Sequence, residues 1–266
     1  MQARTRSVPP PPGGPPLFTI VIPAKDEAGA IGAVLSELAD VPLPAPFEIV
    51  VVDDGSTDGT AEAVRAHGAD NVRLLRHDQA GGKSRAVRAG AVAARGDIII
   101  TLDGDGQNDP QFLPALVAPL ISDPDVGLVA GQRTRRHDGW RKKLVSKIAN
   151  KARRSMLRDD TRDTACGLKA MRRAPFLMLP FFDNNHRFYP ALFQREGWRI
   201  AHVAVADRPR VAGQSKYGVW DRAAVGIPDL LGVWWLVRRS ARRPSASEVP
   251  LSDNQTETVL KEHADG

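Results

Sequence analysis

The stretch Asp97-Ile98-Ile99-Ile100-Thr101-Leu102 runs directly into Asp103-Gly104-Asp105-Gly106-Gln107, and this junction decides the fold. A continuous apolar, β-branched run with no polar alternation is the pattern of a strand covered on both faces, as in parallel sheets layered between helices. Toward the N-terminus the same kind of segment recurs at 17–23 (LFTIVIP), 48–52 (EIVVV) and 72–76 (VRLLR). Helical spacing fills the gaps. In 30–39, Ile31, Val34, Leu35 and Leu38 share one face, 60–67 reads as a short helix stopped by Gly68, and 83–94 turns Ala86, Val87, Gly90 and Ala91 inward. Alternating strands and helices predict an α/β fold with a mostly parallel, doubly wound sheet flanked by helices.

In such sheets ligands bind beyond the carboxyl ends of the strands. Those ends carry Pro23-Ala24-Lys25-Asp26-Glu27, Asp53-Asp54-Gly55-Ser56 and Asp103-Gly104-Asp105, so acidic turns are expected to meet at one rim. Carboxylates at i and i+2 of a turn can face one hard cation, and Gln107 can add a neutral oxygen. Mg²⁺ and Mn²⁺ favour such ligands, and Mg²⁺ is commonly completed by substrate phosphates. The plainer reading is an acidic turn that caps the next helix, and Asp109-Pro110 has that form. In DDGSTDGT, Asp58 or Thr57 reads first as a helix cap, whereas Asp54 reads first as a ligand for a base or ribose. Gly81-Gly82-Lys83-Ser84 invites a phosphate-loop reading. That motif needs glycine at position 77, where His77 stands, so an ATPase of that type is rejected. The segment reads instead as a helix start near anionic groups.

The 266 residues suit one domain with tails, and 42% hydrophobic with 26% charged residues is ordinary for a globular protein. The net charge of +6 suits phosphorylated substrates, an anionic membrane or nucleic acid, without choosing among them. The single cysteine, Cys166, excludes an intrachain disulfide and fits a cytoplasmic setting. There is no apolar signal region at the start and no run long enough for an ordinary transmembrane helix. The expected division is a disordered Pro/Gly-rich arm at 1–16, the main domain at 17–222, an apolar helix at 223–240 and a disordered polar tail at 241–266.

Two basic features occupy the second half. Residues 133–158 contain eleven Arg and Lys residues, including Arg133 and Arg141, against Asp138 alone, and Leu144, Val145, Ile148, Ala152 and Met156 fall on one helical face. Such a helix either lies on an anionic membrane or phosphate, or packs on the core with a solvated basic face. Residues 223–237 (AAVGIPDLLGVWWLV) form an apolar run interrupted by Pro228 and Asp229, ending beside Arg238 and Arg239. It is too short to cross a bilayer core of ~30 Å. Trp234 and Trp235 suit a membrane interface, and packing on protein is the alternative.

The motifs VIPAKDE, VVDDGSTDGT, GGKSRAVRAG and TLDGDGQNDP, with GQRTRR, RKKLVSKIANK, DTACGLKAMRR, HRFYPAL and RPRVAGQSKYG, resemble the family 2 glycosyltransferases. Within these the chain is most similar to the polyprenyl-phosphate glycosyltransferases, the group of dolichol-phosphate mannose synthases and bacterial undecaprenyl-phosphate relatives. The resemblance covers about residues 18–220. It implies a GT-A, Rossmann-like fold with C-terminal interfacial helices. It also implies an inverting enzyme that moves a sugar from a nucleotide-diphosphate donor to a polyprenyl phosphate for cell-envelope glycan or lipopolysaccharide modification.

By the same resemblance, Pro23, Lys25, Glu27, Val52, Asp54, Asp103, Gly104 and Asp105 hold the donor. Asp105 and Gln107 ligate Mg²⁺ or Mn²⁺. Arg133, Arg210 and Lys216 grip phosphates, with Asp105, Arg133 and Lys216 catalytic. Arg141 begins the basic helix on the acceptor side, and His186 and Arg187 are read as acceptor contacts or, equally, as a capping pair. The partners expected are a nucleotide sugar, UDP-linked rather than GDP-linked, a polyprenyl phosphate and an anionic membrane surface, without nucleic acid. A homo-oligomer is left open. Relatives of this kind continue into C-terminal transmembrane helices, whereas this sequence stops, so the expected location is cytoplasmic and peripheral on the inner face of the cell membrane.

Two rivals follow. A family 2 enzyme acting on a sugar hydroxyl needs an acidic base near the acceptor helix, and no Glu-Asp pair stands in 175–200. A basic nucleic-acid-binding module would not need acidic turns that repel phosphate without metal. A nucleotidyltransferase is set aside because PAKDE replaces a glycine-rich opening after the first strand.

Overall fold

The computed structural model describes residues 18–134, 153–157, 159–206, 208 and 219–239. The proposed arm and tail, most of the basic helix with Arg141, and the segment carrying Arg210 and Lys216 lie outside the described residues.

The first half follows the periodicity closely. Strands β1 (Phe18–Ala24), β2 (Phe47–Asp53), β3 (Val72–Arg76) and β4 (Ile98–Thr101) alternate with helices α1 (Ile31–Ala39), α2 (Thr60–His67) and α3 (Lys83–Ala93). The buried residues of α1 are Ile31, Val34, Leu35 and Leu38, as its spacing predicts, and α2 ends at Gly68 in the left-handed conformation. A 3₁₀ turn at Pro110–Phe112, with Asp109 accepting from the Gln111 N–H, leads into α4 (Leu113–Ser122). Strand β5 (Val126–Arg133), strand β6 (Lys169–Arg172), α5 (Arg173–Leu177), α6 (Tyr189–Arg195), β7 (Arg199–Val205) and α7 (Val219–Arg238) follow.

The sheet has seven strands in the order β3-β2-β1-β4-β6-β5-β7. All neighbours are parallel except β6, which runs antiparallel to both β4 and β5. Side chains alternate across it with the period of a strand. Ile20, Ile22, Ile49, Val51, Ile98 and Ile100 enter one core layer, closed by α1, α2 and α4. Val21, Val50, Val52 and Ile99 enter the other, closed by α3, α5, α6 and α7. On that second side a Cβ at Gly90 would lie 2.4 Å from Val21 Cγ1 and 3.2 Å from Val52 Cγ2, so α3 needs glycine there to sit this close to the sheet.

At the amino ends of the strands, Glu48 is buried but fully engaged. It accepts from Thr19 Oγ1 at 2.9 Å, Arg73 at 2.8 Å and the Arg95 N–H at 2.6 Å. The opposite ends, where β1, β2 and β4 finish together, are left for the site.

The apolar run at 223–237 lies within α7, which starts earlier and continues through Pro228. A proline inside a helix removes one backbone donor, and tertiary packing can hold the helix through it. Val233 is buried and Leu230, Trp234, Leu236 and Val237 pack on the second core layer, while Ile227, Leu231 and Trp235 are 60%, 53% and 54% exposed. Among the described residues, no helix is long and apolar enough to cross a membrane.

Candidate active site

The first two acidic turns are stitched together by their own polar groups. The Asp54 N–H donates to the Ala24 carbonyl at 2.8 Å, the Asp26 N–H to Ser56 Oγ at 2.9 Å and the Glu27 N–H to Thr60 Oγ1 at 2.8 Å. Asp26, at a left-handed φ of 53°, accepts the Thr57 N–H at 2.9 Å. Asp58 accepts the Thr60 N–H at 3.0 Å and the Ala28 N–H at 3.1 Å, so it ties the start of α2 to the first turn, while the N-cap position itself is Gly59, without a side-chain cap. Lys25 reaches the carbonyls of Asp54 and Gly55 at 3.5 and 3.3 Å, and Pro23 lies half-buried at the end of β1.

Asp54 organises the neighbouring loop. Its carboxylate accepts the N–H groups of Gly81 and Gly82 at 2.8 and 2.7 Å and contacts His77 Nδ1 at 2.7 Å. Burial would raise its pKa, but His77 and the two backbone donors outweigh that and hold it below the usual carboxylate value. The helix start at 81–84 therefore does lie near an anion, and that anion is the chain's own Asp54. Val52 is fully buried, with its Cγ2 3.2 Å from where a Cβ at Gly90 of α3 would lie.

The third turn follows β4. Asp103 pairs with Lys83 from α3, and its N–H donates to Asn108 Oδ1 at 2.9 Å. Burial opposes ionisation of Asp103, but Lys83, then Lys169 and Arg133, hold its pKa below the ordinary value. Gly104 sits where an added Cβ would make ordinary contact with Ala24 at 3.4 Å. Asp105 is buried and accepts the Gln107 N–H at 3.1 Å. The Gln107 carbonyl accepts the Arg208 N–H at 2.9 Å, and the Arg208 guanidinium meets Asp109 at 2.7 Å and Glu37 at 2.6 Å. Arg208 is thus docked beside the Asp103–Gln107 turn.

A second layer closes over this turn. Arg133, at the end of β5, is held in a two-pronged pair by Asp163, at 2.5 and 3.0 Å. The turn 163–167 packs on Asp103 so closely that a Cβ at Gly167 would lie 2.4 Å from Asp103 Oδ2. His186 and Arg187 lie in a 3₁₀ turn, Asn185–Arg187, before α6. No side chain caps α6, so the capping alternative for this pair is not realised. His186 Nδ1 instead lies 2.8 Å from Ser84 Oγ on α3. Burial, then Lys83, Lys169 and Arg187, hold the His186 pKa well below the usual value, so the ring is neutral at pH 7.

Lys83 as the partner of Asp103, and His77, Asp163, Lys169 and Arg208 as members of this rim, emerge only from the tertiary structure. The signal for Asp163 and Lys169 was present in DTACGLKAM, but nothing in one sequence shows that this segment returns over the β4 turn.

Over residues 19–177 the chain matches the family described as glycosyl transferase family 2. It is 33% identical over 233 residues to the dodecaprenyl-phosphate galacturonate synthase of Rhizobium johnstonii, covering 85% of this chain and 68% of that one.

The chain belongs to glycosyl transferase family 2.

A second relative of this glycosyltransferase is the undecaprenyl-phosphate 4-deoxy-4-formamido-L-arabinose transferase of Aeromonas hydrophila, 32% identical over 209 residues. That match covers 76% of this chain, which spans only 63% of the Aeromonas protein. Among solved structures, glucosyl-3-phosphoglycerate synthase from Mycobacterium tuberculosis with UDP aligns at a TM-score of 0.64 with 25% identity, covering 83% of this chain and 80% of its own. The same enzyme with Mn²⁺, UDP-glucose and glycerol 3-phosphate aligns at 0.63 with 24% identity, covering 88% and 83%. The shared fold is the expected GT-A arrangement.

Proposed function

We propose that this glycosyltransferase moves a sugar, with inversion, from a UDP-linked donor to a polyprenyl phosphate at the inner, cytoplasmic face of the cell membrane, for cell-envelope glycan or lipopolysaccharide modification. The observation that carries the proposal is the electrostatics of the site. Lys83, Lys169 and Arg133 act on Asp103 at the head of the Asp103–Gln107 turn, the carboxylates of Asp103 and Asp163 are paired with Lys83 and Arg133, and His186 is neutral with its Nδ1 on Ser84. Such a site suits two anions and a nucleophile that arrives already ionised. A lipid monophosphate, with a second pKa of about 6 by analogy with phosphorylated side chains, meets that description at pH 7. The names of the two relatives point to the same acceptor class, and the UDP of the mycobacterial structure to the donor.

In this reading Pro23, Lys25, Glu27, Val52 and Asp54 form the nucleotide end of the site. Asp103, Gly104 and Asp105 border the diphosphate. Arg133, with Arg210 and Lys216, draws donor and acceptor phosphates together, and Arg141, His186 and Arg187 border the acceptor. An acceptor phosphate oxygen attacks the anomeric carbon as its bond to the diphosphate oxygen breaks, and positioned cations offset the charge of the two anions.

The oxygen donors Asp105 and Gln107 fit a hard divalent cation, Mg²⁺ or Mn²⁺, which would offset charge on the leaving diphosphate when bound. Among the described residues no group of three or more His, Cys, Asp and Glu stands ready to hold a metal.

The exposed stripe Ile227, Leu231 and Trp235 on α7 is the membrane-facing surface in this reading. Arg238 lies 4.2 Å over the ring of Trp234 and Arg239 lies 5.3 Å over that of Trp235, an aromatic and basic pairing suited to an anionic interface.

The test is a panel of UDP- and GDP-sugars with polyprenyl phosphate and Mg²⁺ or Mn²⁺. Lipid-linked product is expected with one donor, and Asp105→Ala is expected to lose it while keeping the far-ultraviolet spectrum and melting profile of a folded chain. Product formed only on a free sugar hydroxyl would replace the acceptor, and metal-dependent turnover by Asp105→Ala would remove that residue from the site.

A further inference from the structure

Lys169 is a buried lysine on β6 to which the proposed chemistry assigns no contact with donor or acceptor. It is 4% exposed, and its ammonium donates to the carbonyls of Cys166 and, at 3.3 Å, Thr164. Both carbonyls belong to the turn 163–167. The same turn carries Asp163, whose carboxylate holds Arg133 and also accepts the Ala165 N–H at 3.2 Å. It carries Gly167, pressed against Asp103, whose carbonyl accepts from Thr101 Oγ1 at 2.7 Å.

The charged groups around Lys169 are therefore ordered. Lys83 pairs with Asp103, and Arg133 pairs with Asp163. Lys169 interacts with both carboxylates, so the signs alternate along Lys83, Asp103, Lys169, Asp163 and Arg133. Removing the middle cation would leave two buried carboxylates drawing on Lys83 and Arg133 more strongly and would release the carbonyls that fix the turn. Buried charge is costly unless paired, and a partly satisfied network loses its geometry.

We propose that Lys169 is a positioning residue for the donor site: its ammonium clamps the turn 163–167 and balances Asp103 against Asp163, so that the Lys83–Asp103 and Arg133–Asp163 pairs keep their places beside the donor. The proposal rests on the reading of this rim as the donor site.

Burial lowers the Lys169 pKa from 10.5 to about 8, with Lys83 acting in the same sense and Cys166, Asp103 and Asp163 opposing. The Cys166 thiol is itself pushed up, chiefly by burial. As pH rises through about 8 the clamp loses its charge and donor binding should weaken. Stability should move the other way. Between about 8 and 10.5 the unfolded chain binds a proton that the folded chain lacks, so this group's contribution to stability increases with pH.

The experiment measures UDP binding with Mg²⁺ by calorimetry, and thermal unfolding without metal, across the pH range bracketing about 8, for the full chain, Lys169→Met and Lys169→Arg. Ionisation of the ligand itself is common to all three and drops out of the comparison. Lys169→Met is expected to bind UDP roughly tenfold or more weakly at neutral pH, the usual cost of removing a group that orients contacting residues. It should also lack the basic loss of affinity, and the stability difference between wild type and this variant should grow as pH rises. Lys169→Arg should keep neutral-pH affinity and carry it past the pH at which wild type weakens.

Wild-type affinity in Lys169→Met at neutral pH, or an unchanged basic limb in that variant, overturns the proposal. A merely structural lysine would lower the melting temperature and leave the pH profile of binding as it was. If Lys169→Met does not fold, an identical pH profile of binding for wild type and Lys169→Arg overturns it. If Lys169→Arg fails as well, wild-type stability that does not rise through this window does so. Failure of wild type to bind either UDP or GDP overturns the donor-site reading itself, an outcome distinct from the others.

Discussion

Asp54 carries a structural role in addition to the ligand role its motif suggests. Its position after a buried strand marks it as a ligand group, yet both carboxylate oxygens are already engaged by Gly81, Gly82 and His77. Its first task is to shape the loop against which a nucleotide would rest. Asp54→Asn removes a charged acceptor from two backbone donors and is expected to cost on the order of 2 kcal/mol. Urea unfolding with an unchanged slope checks this. The carboxyl is held below its ordinary 3.8, so its contribution to stability is complete above that value and is lost as pH falls through the lower folded value. The difference between wild type and Asp54→Asn should therefore close only in that acid range. The turn-forming residues of DDGSTDGT were legible because their chemistry is local. The anchoring of Gly81 and Gly82 was not, because it joins positions 27 and 28 residues apart.

At the level of elements, the first four strands and three helices were readable because each carries a complete period. The buried faces of α1 and α3 are those their spacing predicts. Gly90 adds the close approach of α3 to β1. Gly90→Ala gains helix propensity of up to about 1 kcal/mol. It also forces a methyl against Val21 and Val52, which typically costs about 1–3 kcal/mol. A net loss in thermal stability is expected, and a double-mutant cycle with Val21→Ala should show positive coupling between the two sites. Strand β6 was not readable. It has four residues, Lys169–Arg172, with a buried lysine at its head and no alternation long enough to count. Its antiparallel direction follows from where the chain re-enters the sheet between β4 and β5.

At the scale of the whole molecule, α7 divides its apolar residues between two surroundings. One face closes the second core layer, anchored by Val233 and by Arg195 donating to the Leu236 carbonyl at 3.2 Å. The other presents Ile227, Leu231 and Trp235 outward. Membrane contact and packing on protein, which the sequence posed as alternatives, can therefore both be met by one helix. Replacing both Leu231 and Trp235 with Gln should leave the fold intact, because neither is in the core. It should cut binding to phosphatidylglycerol vesicles by tenfold or more, since burying a side chain of this size is worth about 1.5–3 kcal/mol. Cosedimentation measures it, and undiminished vesicle binding would remove the membrane from that face.

The sequence by itself determined the alternating layers, the acidic turns at one rim and the family, because these depend on local periodicity and on motifs a few residues long. The tertiary structure decided which charges face one another. Lys83 on α3, Asp103 after β4, Lys169 on β6, Asp163 in the preceding turn and Arg133 on β5 are brought together only when β6 inserts between β4 and β5. Their effect on one another depends on distance and burial, and neither is a property of any one segment.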